Sequence, residues 1–298
     1  MEQFDIIIIG AGTAGMTAGI YAARANKKTL ILEGKNYGGQ IINTPDIENF
    51  PALNHISGIE YATNLYNQVK ELGVTYKREE VQNITEDRVV TTNKNQYQAK
   101  AVIIATGTQN RKLGLEGEDN LVGRGISYCA TCDGRFYKGK NVAVIGGGNT
   151  AIEDAIYLSD LAEKVYLIHR REGFRADQKA IEILKSKNNV EFILNNKPYK
   201  LIADNKLTGL EIINNENEIT KVDVSGIFIA IGQIPNTEIF KDFIDLNESG
   251  YIKSKDGVHT NIDKIYVAGD VREKELRQLI TAASDGAIAA NTAITEIQ

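Results

Sequence analysis

Ile6-Ile7-Ile8-Ile9-Gly10-Ala11-Gly12-Thr13-Ala14-Gly15 decides the fold. Four consecutive β-branched residues read as a strand buried on both faces, as in a parallel sheet covered on each side. The glycines that follow spell G-x-G-x-x-G, and the chain then turns helical through Met16, Ala18, Ile20, Ala22 and Ala23. A second strand, Thr29-Leu30-Ile31-Leu32, ends at Glu33, 23 residues after Gly10. Strand, glycine turn, helix, strand and acid together make a dinucleotide site. The glycines allow close approach of a pyrophosphate, the helix N-terminus offers N–H donors, and the carboxylate accepts from ribose hydroxyls. A glycine turn without a ligand is the weaker reading, because context is satisfied as well as spacing.

The unit recurs. Asn141-Val142-Ala143-Val144-Ile145 leads into Gly146-Gly147-Gly148-Asn149-Thr150-Ala151, a helix carrying Ile152, Ala155, Ile156 and Leu158, and a strand Val165-Tyr166-Leu167-Ile168. That strand ends at His169, again 23 residues after the first glycine. A later strand is echoed too, Ala101 to Ala105 with Thr106-Gly107 by Phe228-Ile229-Ala230-Ile231-Gly232. An α/β chain with two Rossmann-like domains follows, each with its own dinucleotide, and 298 residues suit two cores. Only the charge differs: where the first unit has Glu33, the second has His169-Arg170-Arg171, with Arg175 beyond. Arginines bind a 2′-phosphate that a carboxylate would repel. The second site is therefore expected to take NADP(H), ahead of a reading as a solvated basic turn.

Between the two fingerprints lies Cys129-Ala130-Thr131-Cys132-Asp133, with the only two cysteines of the chain. C-x-x-C can close a small disulfide ring, or form half of a zinc site. There is no second C-x-x-C, and His55, His169 and His259 stand singly. The redox reading is favoured and no metal is expected. A net charge of −5 offers no basic footprint for nucleic acid or membrane. The acidic start and the short run Ile6 to Ile9 do not make a signal peptide, and no stretch reaches transmembrane length. A cytoplasmic protein is expected, where a lone C-x-x-C is more often catalytic than structural. Elsewhere, Ser57-Gly58-Ile59-Glu60 reads as a capping box opening a helix that buries Ile59, Ala62, Leu65, Tyr66, Val69 and Leu72, with Gly73 after its end.

Together with Gly38-Gly39-Gln40, Glu48-Asn49-Phe50-Pro51, Ala105-Thr106-Gly107, His169 to Ala176 and Ala268-Gly269-Asp270, these motifs make the chain resemble the low-molecular-weight thioredoxin reductases over nearly its whole length. Cysteines placed just before the second fingerprint favour this group over glutathione-reductase-like enzymes.

The resemblance implies FAD in the first site, held by Gly10, Gly12, Thr13, Ala14, Gly15, Glu33, Gly39, Gln40 and Asn49. Val81, Ala105, Gly107, Gly269, Asp270, Arg277, Gln278 and Leu279 complete that set. NADPH would be held by Gly146, Gly148, Asn149, Thr150, Ala151, His169, Arg170, Arg171, Arg175, Ile231 and Gly232. The resemblance further implies a discontinuous FAD domain, 1–112 with 245–298, and an inserted NADPH domain, 113–244. Unaided, the sequence reads as two consecutive domains. Catalysis would fall to Cys132, the sulfur nearer the flavin, Cys129, which attacks the substrate disulfide, and Asp133, which protonates the leaving thiolate. Locally, Asp133-Gly134 is equally a turn pair.

Thioredoxin or a thioredoxin-like protein is the implied partner, and a homodimer the implied assembly. Cysteines and nicotinamide share one domain, so the domains are expected to rotate about 112–118 and 243–247. Two alternatives are a ferredoxin-dependent flavin thioredoxin reductase, against which the intact second fingerprint argues, and a non-catalytic redox-sensing flavoprotein. A peroxide-system flavoprotein would carry an extra N-terminal module, for which a chain starting at its first strand leaves no room. The chain departs from the family pattern at Ala52 and Ser284, where glycine is usual, and at Asp263-Lys264, where Pro-Gly is common.

Overall fold

The computed structural model describes residues 1–53 and 55–298. The chain folds into two compact units, Met1–Gln109 with Ile234–Gln298, and Asn110–Gln233.

The first segment holds β1 (Glu2–Ile9), α1 (Thr13–Arg24), β2 (Thr29–Leu32), α2 (Gly58–Glu71), β3 (Thr75–Lys77), the hairpin β4 (Val81–Ile84) and β5 (Val89–Thr92), and β6 (Gln96–Ile104). They form one sheet in the order β3-β2-β1-β6-β5-β4. Strands β3, β2, β1 and β6 are parallel, with Ile6 opposite Thr29 on one side and Ala101 on the other. Alternation within the isoleucine run explains its composition. Ile6 and Ile8 enter the core under α1, while Ile7 and Ile9 enter the opposite core under the β4–β5 hairpin. Each such side chain contributes about 1.5–3 kcal/mol of burial, so neither face tolerates a polar residue.

Helix α2 starts as expected: Ser57 Oγ accepts from the Glu60 N–H at 3.1 Å. It ends before Gly73, whose φ of +77° is the left-handed value a helix stop favours. Ala62 and Val69 are fully buried, and Leu65, Tyr66 and Leu72 pack at the core edge. Ile59 departs from the expectation, being 64% exposed. Its position is in phase with the apolar stripe, but in the first turn it is Gly58 and Tyr61 that are buried.

The chain leaves the first unit through β7 (Thr108–Asn110). The second unit contains α3 (Glu118–Leu121), β8 (Ile126–Ser127), α4 (Ala130–Asp133), β9 (Asn141–Ile145), α5 (Asn149–Ser159), β10 (Lys164–His169), α6 (Gln178–Lys185) and β11 (Val190–Leu194). It closes with an antiparallel sheet of β12 (Asn196–Ala203), β13 (Leu207–Asn214) and β14 (Ile219–Val222), and then β15 (Gly226–Ile229). The parallel sheet runs β11-β10-β9-β15-β8. Val142, Val144, Val165 and Leu167 face α5 and α6, and Ala143, Ile145 and Ile168 face the antiparallel sheet. Both units thus use helices on one face of a parallel sheet and strands on the other.

The chain returns through β16 (Gln233–Pro235) and adds β17 (Ile265–Val267) parallel to β6, then α7 (Leu279–Glu296) beside α1. The first unit resumes at Ile234, with Phe240 and Ile244 buried in its core. Helix α7 lies so close to α1 that a Cβ on Gly286 would overlap the carbonyl oxygen of Ala14.

Candidate active site

Strand β8 lies at the sheet edge, and its last residue, Ser127, pairs with Phe228 of β15. The chain then enters the short helix α4, whose Ala130 is fully buried against the helix-side core. That anchor leaves Cys129 and Cys132 half-buried and Thr131 exposed. The two cysteines form a disulfide, with Cα atoms 5.3 Å apart. Asp133 donates its N–H to the Cys129 carbonyl at 3.1 Å, and its Oδ2 accepts from the Ser127 hydroxyl at 2.6 Å. Burial raises the proton affinity of Asp133, and the Ser127 hydrogen bond opposes the rise. Tyr137 is pushed up to about 12 by burial and by the Asp133 carboxylate, so it stays a neutral phenol at physiological pH.

The two glycine turns repeat in atomic detail. Gly10 donates to the Leu32 carbonyl and Gly146 to the Ile168 carbonyl, at 2.8 and 3.1 Å. Ala105 donates to Ile9 and Ala230 to Ile145, both at 2.8 Å. A Cβ on Gly10 would overlap the Ala105 carbonyl, and one on Gly146 the Ala230 carbonyl, so each turn needs its first glycine where a neighbouring strand end passes. Gly12 and Gly148 precede α1 and α5 without any side-chain cap, leaving the first helical N–H groups available to a ligand.

The charges sit where the sequence pattern puts them. Glu33 accepts from the Ala11 N–H through Oε2 and from the Lys35 N–H through Oε1, each at 2.9 Å. Its counterpart His169 lies over Gly147, so closely that a Cβ there would meet the imidazole. The ring stacks on Phe174 and hydrogen-bonds the Gly173 carbonyl at 3.2 Å. Burial, with Arg170 and Arg171 nearby, holds His169 below its usual value, so near pH 7 it is a neutral ring beside cations. Arg170, Arg171 and Arg175 are exposed, and the Arg175 N–H reaches the Gly147 carbonyl at 2.7 Å. Asn149 Oδ1 accepts from the Asp177 N–H at 2.9 Å, and Thr150 and Ala151 complete the first turn of α5. Ile231 and Gly232 follow β15, and the Gly232 carbonyl accepts from Arg111 at 3.1 Å.

In the first unit, Thr13, Ala14 and Gly15 open α1, and Gly39 approaches Gly12. Gln40 donates to the Thr108 carbonyl at 2.7 Å, next to Gly107. Asn49 donates to Gln278 at 3.0 Å, and Gln278 caps α7 ahead of Leu279. Arg277 lies over the Tyr251 ring, 4.0 Å from its centre. Gly269, with φ +79°, passes Ala14 and donates to Asp285 Oδ2 at 3.1 Å. Asp270 Oδ1 is buried without a hydrogen-bond partner among the described residues, with Lys274 Nζ 3.6 Å away. Val81 is buried in the core at the start of β4.

A match to the pyridine nucleotide-disulphide oxidoreductase family spans residues 4–286. The chain belongs to that family. Relatives agree: it is 40% identical over 296 residues to thioredoxin reductase from Bacillus subtilis (strain 168), covering 97% of this chain and 93% of the relative. Among solved structures, thioredoxin reductase from Streptococcus pyogenes MGAS5005 superposes with a TM-score of 0.94 at 39% identity, covering 99% of this chain and 98% of that one. Thioredoxin reductase from Giardia duodenalis gives 0.92 at 33% identity, covering 98% of each chain.

Several polar residues of this pyridine nucleotide-disulphide oxidoreductase escape the sequence reading. Ser127 touches both Cys129 and Asp133. Glu118 is buried, and accepts from the N–H groups of Leu113, Gly114 and Leu115 and from the Tyr128 hydroxyl next to Cys129. Lys274, with a side chain 6% exposed, pairs with Asp285 Oδ2 at 2.9 Å, and Arg272 with Asp285 Oδ1 at 3.0 Å. Only Gly-Glu-Asp at 117–119 hinted at a helix start; the others carry no spacing signal.

Proposed function

We propose that this chain is an NADPH-dependent flavoprotein that reduces the disulfide of thioredoxin or a thioredoxin-like protein. The observation that carries the reading is the Cys129–Cys132 disulfide, set in the same unit as an arginine-bearing dinucleotide turn. The first unit suits FAD. Gly12 has open space where a Cβ would stand, and Asp270 Oδ1 is a buried acceptor without a hydrogen bond among the described residues, suited to a hydroxyl of the cofactor. Glu33 retains lone pairs for a ribose, and Gln40, Asn49, Arg277 and Gln278 line the same unit. Residues 113–244 of the expected NADPH domain fall largely in the second unit, where Gly148 is open and three arginines await a 2′-phosphate.

FAD held by the Gly10–Gly15 turn, Glu33 and Asp270 would supply a two-electron relay between the nicotinamide donor and the disulfide. The chain's own residues do the rest. The Cys129 thiolate attacks one sulfur of the thioredoxin disulfide, and the expelled thiolate takes a proton held on Asp133. The Cys132 thiolate then attacks the Cys129 sulfur of the mixed disulfide, releasing dithiol thioredoxin and restoring Cys129–Cys132.

No helix among the described residues is long and apolar enough to cross a membrane. The working site of the enzyme is the cytoplasm, where a reducing poise keeps such a pair cycling. Tyr21 on α1 and Ile280 and Ile288 on α7 are exposed, which supports a second copy of this chain as the covering partner. Arg170→Ala with Arg171→Ala tests the donor. KM for NADPH should rise at least about tenfold with little change for NADH, since each charge-assisted bond is worth roughly 1.5–3 kcal/mol. An unchanged ratio would remove the 2′-phosphate assignment. Flavin that NADPH does not bleach would favour a ferredoxin donor, and bleaching without thioredoxin turnover a sensor.

A further inference from the structure

We propose that Ser127 is the positioning residue for Asp133: its hydroxyl holds Oδ2 of the carboxyl and leaves Oδ1 as the atom that takes up and releases the proton. The inference deepens the reading of Asp133 as the acid of the thioredoxin step, and rests on it for its catalytic meaning.

Ser127 is 3% exposed and fixed by its pairing in β8. Its Oγ accepts from the Cys129 N–H at 3.1 Å. A hydroxyl has one hydrogen, and two acceptors compete for it: Asp133 Oδ2 at 2.6 Å and the Cys129 carbonyl at 3.2 Å. The shorter contact has the length of a charge-assisted bond to a carboxylate, so the hydrogen points to Asp133. The other carboxyl oxygen, Oδ1, is buried with no hydrogen-bond partner among the described residues.

That asymmetry decides where the proton goes. Protonation at Oδ2 would turn the serine hydrogen away to the longer contact with the Cys129 carbonyl. Protonation at Oδ1 keeps the Ser127 bond and relieves an unpaired buried charge. The backbone N–H of Asp133, bonded to the Cys129 carbonyl, ties the same residue to the redox turn. In the thioredoxin step the proton on Oδ1 passes to the expelled thiolate, leaving a carboxylate that Ser127 still holds.

The elements packed against α4 offer Arg135 and Tyr137 in the turn that follows and Glu153, Asp154 and Tyr157 on α5. Of these, Tyr137 is the one whose proton affinity Asp133 raises. Tyr128, on the chain between Ser127 and Cys129, spends its hydroxyl on Glu118.

The test is a carboxyl-carbon NMR titration of oxidised, FAD-loaded protein labelled at aspartate, with the Asp133 signal assigned by Asp133→Asn. Ser127→Ala should raise the midpoint by about one pH unit, the size of one lost hydrogen bond to a charged acceptor. Ser127→Thr, which keeps a hydroxyl, should bring it back toward the parent value. A midpoint unmoved in Ser127→Ala, or moved equally by both substitutions, overturns the proposal. Full thioredoxin turnover by Asp133→Asn would instead remove Asp133 from catalysis, while the titration still reads the coupling to Ser127.

Discussion

Lys264 and Ala52 adopt left-handed backbone, with φ of +57° and +65°, at two of the three places where the family pattern has glycine. A side chain in that region costs about 1–2 kcal/mol, offset in part by the lower unfolded-state entropy of a non-glycine residue. Lys264→Gly should therefore stabilise the fold by up to about 1 kcal/mol, seen as a melting temperature raised by roughly 2 °C. A lower melting temperature would contradict the local strain. The Lys264 carbonyl accepts from Val102 at 3.0 Å through its backbone, so the substitution spares that bond. Ser284, the third departure, is exposed on α7 and meets no such constraint. At the redox turn, Cys132→Ser should leave NADPH-driven flavin bleaching in place and abolish thioredoxin turnover in a steady-state assay.

At the scale of elements, the C-terminal end of α7 is pinned by charge. His259 hydrogen-bonds Asp256 through Nδ1 at 2.6 Å and Glu296 through Nε2 at 2.8 Å, and Glu296 accepts from the Tyr266 hydroxyl at 2.6 Å. Glu296 and Asp256 raise the His259 value above its usual 6.5, while the hydrogen bonds from His259 hold Asp256 down to about 2. The His259 contribution is complete below 6.5 and is lost as pH rises through the raised folded value. The Asp256 contribution is present above 3.8 and lost as pH falls toward about 2. His259→Gln should accordingly lower the melting temperature at pH 6 more than at pH 9, and an equal loss at both would refute the clamp. None of this was legible in sequence, because residues 256, 259, 266 and 296 follow no common period. The βαβ units were legible, since Ile6 to Gly15 and Val142 to Ala151 meet local steric demands that the neighbouring strand ends impose. Ile59 was misread because periodicity gives only an average phase for a helix face, and in the first turn Tyr61 takes the buried place.

For the whole molecule, the two glycine turns differ in charge, Glu33 on one unit and Arg170, Arg171 and Arg175 on the other. The order of units along the chain was the part that local patterns could not supply: the resemblance implied the insertion, and packing of Phe240 and Ile244 places the return at Ile234. If a second copy covers the exposed residues of α1 and α7, Tyr21→Glu with Ile288→Glu should halve the mass measured by light scattering. The most direct measurement is an electron balance: anaerobic, FAD-loaded protein is mixed with NADPH and excess oxidised thioredoxin, and the thioredoxin thiols formed are counted against NADPH consumed. The account predicts two thiols per NADPH, falling to none with Cys132→Ser while the flavin still bleaches. Thioredoxin thiols that appear unchanged without Cys132, or NADPH consumed with thioredoxin left oxidised in the parent protein, would contradict it.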